Sequence, residues 1–354
     1  MRRLLIIKLS ALGDIAQALP VASALRRQFP HLHVTWAVEE RSAALLHGHP
    51  GVDRIVTFPR MAWGGLAPGW SAAFRCALGA VREQPYDVAL DLQGLFKSSV
   101  VAVWSRAPLR LGMPPQREGA ALASRAVPVR PGRRHAVERY LECAEYLGAA
   151  PTPVQFGLRP QPAAVASLTR LFQQYEICPT DRVIAVSPSA ARPWKAWPEA
   201  HWAAVIGALG EQGRVVLVGS DEQRRRHRGL AQRAGCPVVD LTGKTSLAEL
   251  IALLDRCVLH VAPDTGTLHL AVALGRPVVG IYGPTPVWRL GPYGQADAAV
   301  HRDGICTLGC PRFCPRRRQC LREVTPAEVL ARAQVVLADS PQRTQRVAEA
   351  RARE

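Results

Sequence analysis

Short, continuously apolar runs recur along this chain, each closed by a polar or glycine-bearing turn and followed by a stretch with helical spacing. In the first half such runs predict strands at 3–8, 33–38, 53–58 and 87–92. Helical spacing falls at 15–28, near 42–47, up to 82, from Gly94 onward and at 135–147. Segment 61–71 carries Trp63, Gly64, Gly65, Pro68 and Gly69, and 106–134 is rich in Pro, Gly and Arg, so both read as loops. After 160 the pattern restarts with a helix at 163–175 and strands at 183–187, 215–219, 238–241, 259–262 and 278–282. Helices are predicted from Pro198, Asp221 and Ser246, then at 267–274 and 325–339. The strand runs lack the alternation of a half-exposed sheet. They read as strands buried on both faces, alternating with helices, which is the signature of parallel α/β sheets.

Pro151, Pro153, Pro160 and Pro162 punctuate the middle of the chain. With 354 residues, two cores are the natural expectation. The expected organisation is two Rossmann-like domains facing an interdomain cleft: 1–160, 161–335, and a polar tail at 336–354.

Open α/β sheets bind ligands at the carboxyl ends of their strands, so the loops there hold the candidate residues. Ser10, Gly13 and Asp14 follow the first strand. Asp14 reads either as a favourable charge at a helix start or as a general base. Gln93 and Lys97 repeat the geometry after the fourth strand, as a capped helix with a solvent-facing Lys or as a ligand rim. In the second half, Ser187 and Ser189 precede Lys195, a candidate diphosphate partner. Glu222 follows the next strand, where an acidic residue suits ribose hydroxyls or simply a helix start. Asp264, Thr265, Gly266 and His269 stand at a tight turn that opens a helix. Such a turn presents unpaired N–H groups and suits phosphate, though it also serves as an ordinary capped βα turn.

The net charge of +17, carried almost entirely by Arg, sharpens this picture. Arg117, Arg125, Arg130, Arg133, Arg134 and His135 crowd one loop region, with Arg54 and Arg60 as further members. They read as a solvated face or as a site for a phosphate-rich partner. Nucleic acid is set aside, because the basic region lacks interleaved aromatics and no nucleic-acid motif is found. No run is long enough to span a membrane and no export signal is seen, so a cytoplasmic, reducing location is expected for the nine Cys. Basic charge still permits peripheral contact with an anionic membrane face.

The ordered set Lys8…Gly13-Asp14, Asp91-x-Gln-Gly-Leu-x-Lys97, His135-Ala-Val-Glu-Arg139, Lys195-x-Trp-Pro198 and Asp264-Thr-Gly-x-x-His269 resembles the bacterial lipopolysaccharide heptosyltransferases, glycosyltransferase family 9. The resemblance runs from residue 1 to about residue 335 and is strongest to the heptosyltransferase I branch. It implies a GT-B fold and inverting, metal-independent transfer from ADP-L-glycero-D-manno-heptose to the Kdo–lipid A inner core at the cytoplasmic face of the inner membrane. No catalytic cofactor is implied. Asp14 falls on the family's proposed base, and Lys195, Thr265 and Gly266 on diphosphate contacts, with His269 beside them. Glu222 falls on a ribose contact and Asp264 on a donor-sugar contact. Arg60 and Arg117 fall near expected acceptor-phosphate positions.

Two departures stand out. Ala190-Ala191-Arg192 replaces hydroxyl residues on the loop before Lys195, leaving Ser187 or Ser189 to substitute. Cys306, Cys310, Cys314 and Cys320 form a cluster associated with other family branches, readable as a zinc or iron–sulfur site or as a loop of thiols. Two alternatives therefore stay open: a family-9 enzyme with another nucleotide sugar or a later, heptosyltransferase II-like acceptor, and a non-catalytic nucleotide-sugar or anionic-lipid binding protein.

Overall fold

The computed structural model of the protein describes residues 1–60, 72–189, 195–302, 314 and 319–339. The chain divides into two compact units, Met1–Leu158 and a second starting at Arg159. The first holds β1 (Arg3–Ile7), α1 (Leu12–Gln28), β2 (His33–Glu39), β3 (Arg54–Phe58), α2 (Ala72–Arg82), β4 (Val88–Asp91), α3 (Phe96–Trp104), β5 (Leu109–Gly112), β6 (Arg125–Ala126) and α4 (Ala136–Tyr146). The second opens with α5 (Pro162–Gln174), β7 (Val183–Val186), α6 (Glu199–Gly210), β8 (Arg214–Leu217), α7 (Arg224–Arg233), β9 (Val238–Asp240) and α8 (Leu247–Arg256). It closes with β10 (Leu259–Pro263), α9 (Gly266–Ala273), β11 (Val278–Ile281), α10 (Val287–Leu290), β12 (Ala299–Val300), α11 (Gln319–Arg322) and α12 (Pro326–Ala338).

Each unit builds a six-stranded parallel sheet, in the orders β3-β2-β1-β4-β5-β6 and β12-β11-β10-β7-β8-β9. Strand order reverses beside β1 in the first sheet and beside β7 in the second, which makes those strand ends the crevices of each sheet. The central strands are apolar on both faces because both faces are covered. Leu4 to Ile7, Val183 to Val186 and Val278 to Ile281 are all buried. In the first unit α1 is buried along Ile15–Leu25 and packs against α4.

Segment 106–134 is not the plain loop its composition suggests. It contributes β5, β6 and a short 3-10 turn at Ala120–Leu122. Only Leu111 and Gly112 of β5 are buried, so its apolar signal is too short to stand out from the surrounding Pro, Gly and Arg. The pairing Asp91↔Gly112 completes the ladder instead. Segment 61–71, where a loop is expected, and 340–354 of the expected tail lie outside the described residues, while 336–338 belong to α12, with Val336 and Leu337 buried, and not to a polar tail.

Candidate functional site

In the first unit the candidate residues collect at the carboxyl ends of β1, β2 and β4. Asp91 ends β4, and its buried carboxylate folds the next turn. Oδ1 accepts from the N–H groups of Gln93 (2.8 Å) and Gly94 (3.0 Å), and Oδ2 from the Ser98 hydroxyl (2.8 Å). Gly94 sits at φ +66°, and a Cβ there would crowd the carbonyls of Met113 and Pro115, so a side chain at this position is strained. This turn aims Gln93 and Lys97 back at β1: the Gln93 Oε1 accepts from Ser10 N (3.2 Å) and the Lys97 ammonium donates to Ser10 Oγ (2.7 Å).

Lys97 also donates to Glu39 Oε1 (2.8 Å), and Arg41 pairs with the other Glu39 oxygen (2.9 Å). Glu39 is buried at the end of β2 and was not singled out from the sequence. Its position at a strand end was the available signal. Asp14 lies in the first turn of α1, where Oδ2 accepts from Ala11 N (3.2 Å). Gly13 lies in the same turn. Beneath it Lys8 is buried, donates to the Leu92 carbonyl (3.2 Å) and sits 5.1 Å from the centre of the Tyr140 ring. Burial pulls the Lys8 ammonium down, but Tyr140, Asp14 and Asp91 outweigh it and hold it above the usual lysine value. Arg60 and Arg117 are exposed, and the Arg117 N–H donates to the Gly94 carbonyl, which sets it beside the Gln93 turn.

In the second unit a buried indole positions the candidate lysine. Trp197 packs edge-on against Trp202 (5.0 Å between ring centres) and donates its N–H to the Val324 carbonyl (3.0 Å). Two residues before this anchor, Lys195 pairs with Asp264 at the end of β10. His269, one turn into α9, reaches the other Asp264 oxygen at 3.2 Å. Burial pushes the Asp264 carboxyl up, but His269 and then Lys195 outweigh it and hold it far below the usual carboxylate range. Asp264 is therefore an anion that aims two cation-capable groups at the start of α9. Thr265 occupies the N-cap there but makes no side-chain cap, so it leaves the first-turn N–H groups from Gly266 onward for another partner.

Ser187 and Ser189 are buried after β7. The Ser189 hydroxyl meets His227 Nε2 at 2.7 Å, and His227 Nδ1 meets Thr242 Oγ1 at 2.8 Å. This histidine thus ties the end of β7 to the end of β9, and it packs against Gly219 at the end of β8. Glu222 stands exposed just beyond, in the turn Asp221–Gln223. Neither His227 nor the equally buried His260 was singled out from the sequence. His260 lies in an apolar run and His227 among arginines, and neither setting carries a local mark of the partners.

Burial brings both His227 and His260 down to about 4. The folded state therefore binds fewer protons than the unfolded chain between about pH 6.5 and 4. Stability of this unit is full above that window and falls as pH drops through it, by about 1.4 kcal/mol per pH unit for each histidine. Urea midpoints at pH 7 and pH 5, followed by tryptophan fluorescence, check this. A midpoint that does not move rules it out, and His227→Gln is expected to flatten the slope.

Cys306 and Cys310 lie outside the described residues, while Cys320 is buried in α11 and Cys314 is half-buried. No metal-ligating cluster occurs among the described residues.

Residues 75–309 match the sequence profile of glycosyltransferase family 9 (heptosyltransferase). The chain is 32% identical over 308 residues to lipopolysaccharide heptosyltransferase 1 of Salmonella typhimurium, covering 84% of this chain and 93% of that one. It is 28% identical over 299 residues to lipopolysaccharide heptosyltransferase 2 of Escherichia coli, covering 80% and 83%. Among solved structures, E. coli heptosyltransferase WaaC with ADP-2-deoxy-2-fluoro heptose is similar at a TM-score of 0.71 and 28% identity, covering 94% of this chain and 99% of that one. With the two parallel sheets, these likenesses establish the α/β GT-B fold class.

Proposed function

Because this chain belongs to glycosyltransferase family 9, the heptosyltransferases, we propose that it transfers heptose from ADP-L-glycero-D-manno-heptose to the Kdo–lipid A inner core of lipopolysaccharide. The observation that carries the donor side is the Lys195–Asp264–His269 cluster at the uncapped start of α9. The relatives named heptosyltransferase 1 include those at 31–32% identity, while those named heptosyltransferase 2 stand at 27–28%, which favours the first transfer onto the core.

In the mechanism we assign, Asp14 takes the proton of the acceptor hydroxyl as that oxygen attacks the anomeric carbon. Attack opposite the leaving ADP inverts the configuration. As the bond to the diphosphate breaks, negative charge grows on its oxygens, and Lys195 and the N–H groups from Gly266 onward stabilise it there. Lys195 thereby fills the place that a divalent cation fills in other phosphate chemistry, and no metal is required. Asp264 stays ionised, so it accepts hydrogen bonds from donor sugar hydroxyls and keeps Lys195 and His269 aimed. Glu222 suits the ribose hydroxyls. Ser10, Gln93, Lys97, Arg60 and Arg117 would meet the acceptor and its phosphates.

The acceptor is a lipid, and we assign its membrane to the cytoplasmic face. Among the described residues no helix is long and apolar enough to cross a membrane. Leu122 is 95% exposed and Phe96 48%, and Arg117 and Arg125, close to Leu122 in the sequence, are exposed as well. Apolar tips among arginines suit peripheral contact with anionic lipid.

The deciding experiment offers ADP-heptose, GDP-sugars and UDP-sugars, with a Kdo-bearing lipid A acceptor held in phosphatidylglycerol vesicles. Consumption of ADP-heptose alone, with salt-sensitive retention of the protein on the vesicles, is the expected outcome. Use of another donor, or transfer only to a heptose-bearing acceptor, moves the reading to a later core step. Donor binding without transfer or hydrolysis makes the chain a non-catalytic binder.

A further inference from the structure

A chain of hydrogen bonds runs from the sheet of the second unit to the mouth of its donor site. His260 lies in β10, fully buried. Its Nδ1 stands 3.1 Å from the Ala185 carbonyl in β7, and its Nε2 stands 3.2 Å from Thr267 Oγ1 in α9. Thr267 Oγ1 lies 3.0 Å from Thr265 Oγ1.

The proton positions along this chain follow from chemistry. A carbonyl oxygen only accepts, so Nδ1 carries the proton. Burial keeps the ring neutral, bringing it down to about 4. A neutral ring protonated at Nδ1 has a bare Nε2, which only accepts. The Thr267 hydroxyl must therefore donate to Nε2. Having one proton, it can only accept from Thr265. The Thr265 hydroxyl is thus turned inward as a donor and shows its lone pairs to the site.

We propose that His260 is a positioning residue that makes the Thr265 hydroxyl a hydrogen-bond acceptor toward the bound donor. The diphosphate is then left to Lys195 and the backbone N–H groups of α9. This deepens the donor assignment above and rests on it. An oriented acceptor repels a bare phosphate oxygen and welcomes a hydroxyl, so the relay separates the intact sugar nucleotide from ADP, the product that must leave. Asp264, the neighbouring residue, is likewise an acceptor only, and the two together line the site for sugar hydroxyls.

The relay is read first without ligand. In protein labelled with 15N-histidine at pH 7, His260 is expected to show a protonated Nδ1 and a bare Nε2; the opposite tautomer overturns the proposal whatever the donor proves to be. Calorimetry with ADP and with ADP-heptose gives the second readout. Thr265→Val is expected to weaken ADP-heptose by roughly two- to tenfold, the worth of one neutral hydrogen bond, and to leave ADP within about twofold. His260→Leu frees the Thr265 proton for the diphosphate, so it tightens ADP relative to ADP-heptose by a similar factor. His260→Gln, whose amide can donate to Ala185 and accept from Thr267, restores the wild-type ratio. Equal weakening of both ligands in all variants would mean a merely structural histidine and overturn the proposal. If His260→Leu does not fold, Thr267→Val breaks the same link and gives the same reading. If wild type binds ADP but no ADP-sugar, the donor assignment fails while the tautomer result stands on its own.

Discussion

Asp14→Asn is expected to lower kcat by about 10²–10⁴-fold, the range of a general base, with ADP affinity unchanged. The substitution separates two roles that one side chain fills. In the first turn of α1 the carboxylate accepts the Ala11 N–H and places negative charge at a helix start. The Asn amide oxygen can accept the same hydrogen bond, so the turn keeps its shape. The amide cannot take a proton at neutral pH, so the chemistry does not survive. Asp14→Ala removes both roles and should add a stability loss of about 1 kcal/mol. Steady-state rates, ADP calorimetry and urea midpoints on the two variants separate these effects. Wild-type turnover in Asp14→Asn would return the residue to a purely structural part.

Lys195→Gln is expected to cost about 10²–10³-fold in kcat/KM, as removal of a preorganised charge stabiliser does, and to weaken ADP as well. It also disturbs the protein in a way its partial exposure conceals. Lys195 is a quarter exposed, but Asp264 beneath it is 6% exposed and loses one of its two partners. An uncompensated buried carboxylate is costly, and with allowance for solvent at the Lys195 end the loss is about 1–3 kcal/mol at pH 7. The sign can be checked against pH. Asp264 is held below its unfolded value, so its contribution is present above about pH 4 and is lost only in stronger acid. Combining Lys195→Gln with Asp264→Asn removes the orphaned charge and should recover the stability without recovering turnover. Recovery of both would show that Lys195 serves the fold and not the diphosphate.

Much of the scaffold was legible because its signals are local. Val183 to Val186 and Val278 to Ile281 announce themselves as buried strands through uninterrupted apolar sequence. The helices expected from Ser246 and at 325–339 form, and the structure opens each with a capping box, Ser246 with Glu249 and Thr325 with Glu328. β5 and β6 escaped, because strands with two buried residues and with none are held by their neighbours' ladder and not by their own composition. Among site residues, Ser10, Gln93 and Lys97 were chosen separately and the fold joins them by hydrogen bonds across more than 80 positions of sequence. Glu39, which neutralises Lys97, could not be paired with it in advance.

The sequence by itself determined the order of the long buried strands and the main helices, the doubling of the α/β pattern, and which strand-end loops carry ionisable residues. Those features depend on neighbours a few positions away. Tertiary structure alone decided what each of those residues faces. Only the packing of β7, β10 and α9 sets His260 between a carbonyl and a hydroxyl, and so decides which way the Thr265 proton points. Hydrogen-bond direction follows from the whole set of partners and from burial, and both come from segments that are distant in the chain and adjacent only once it has folded.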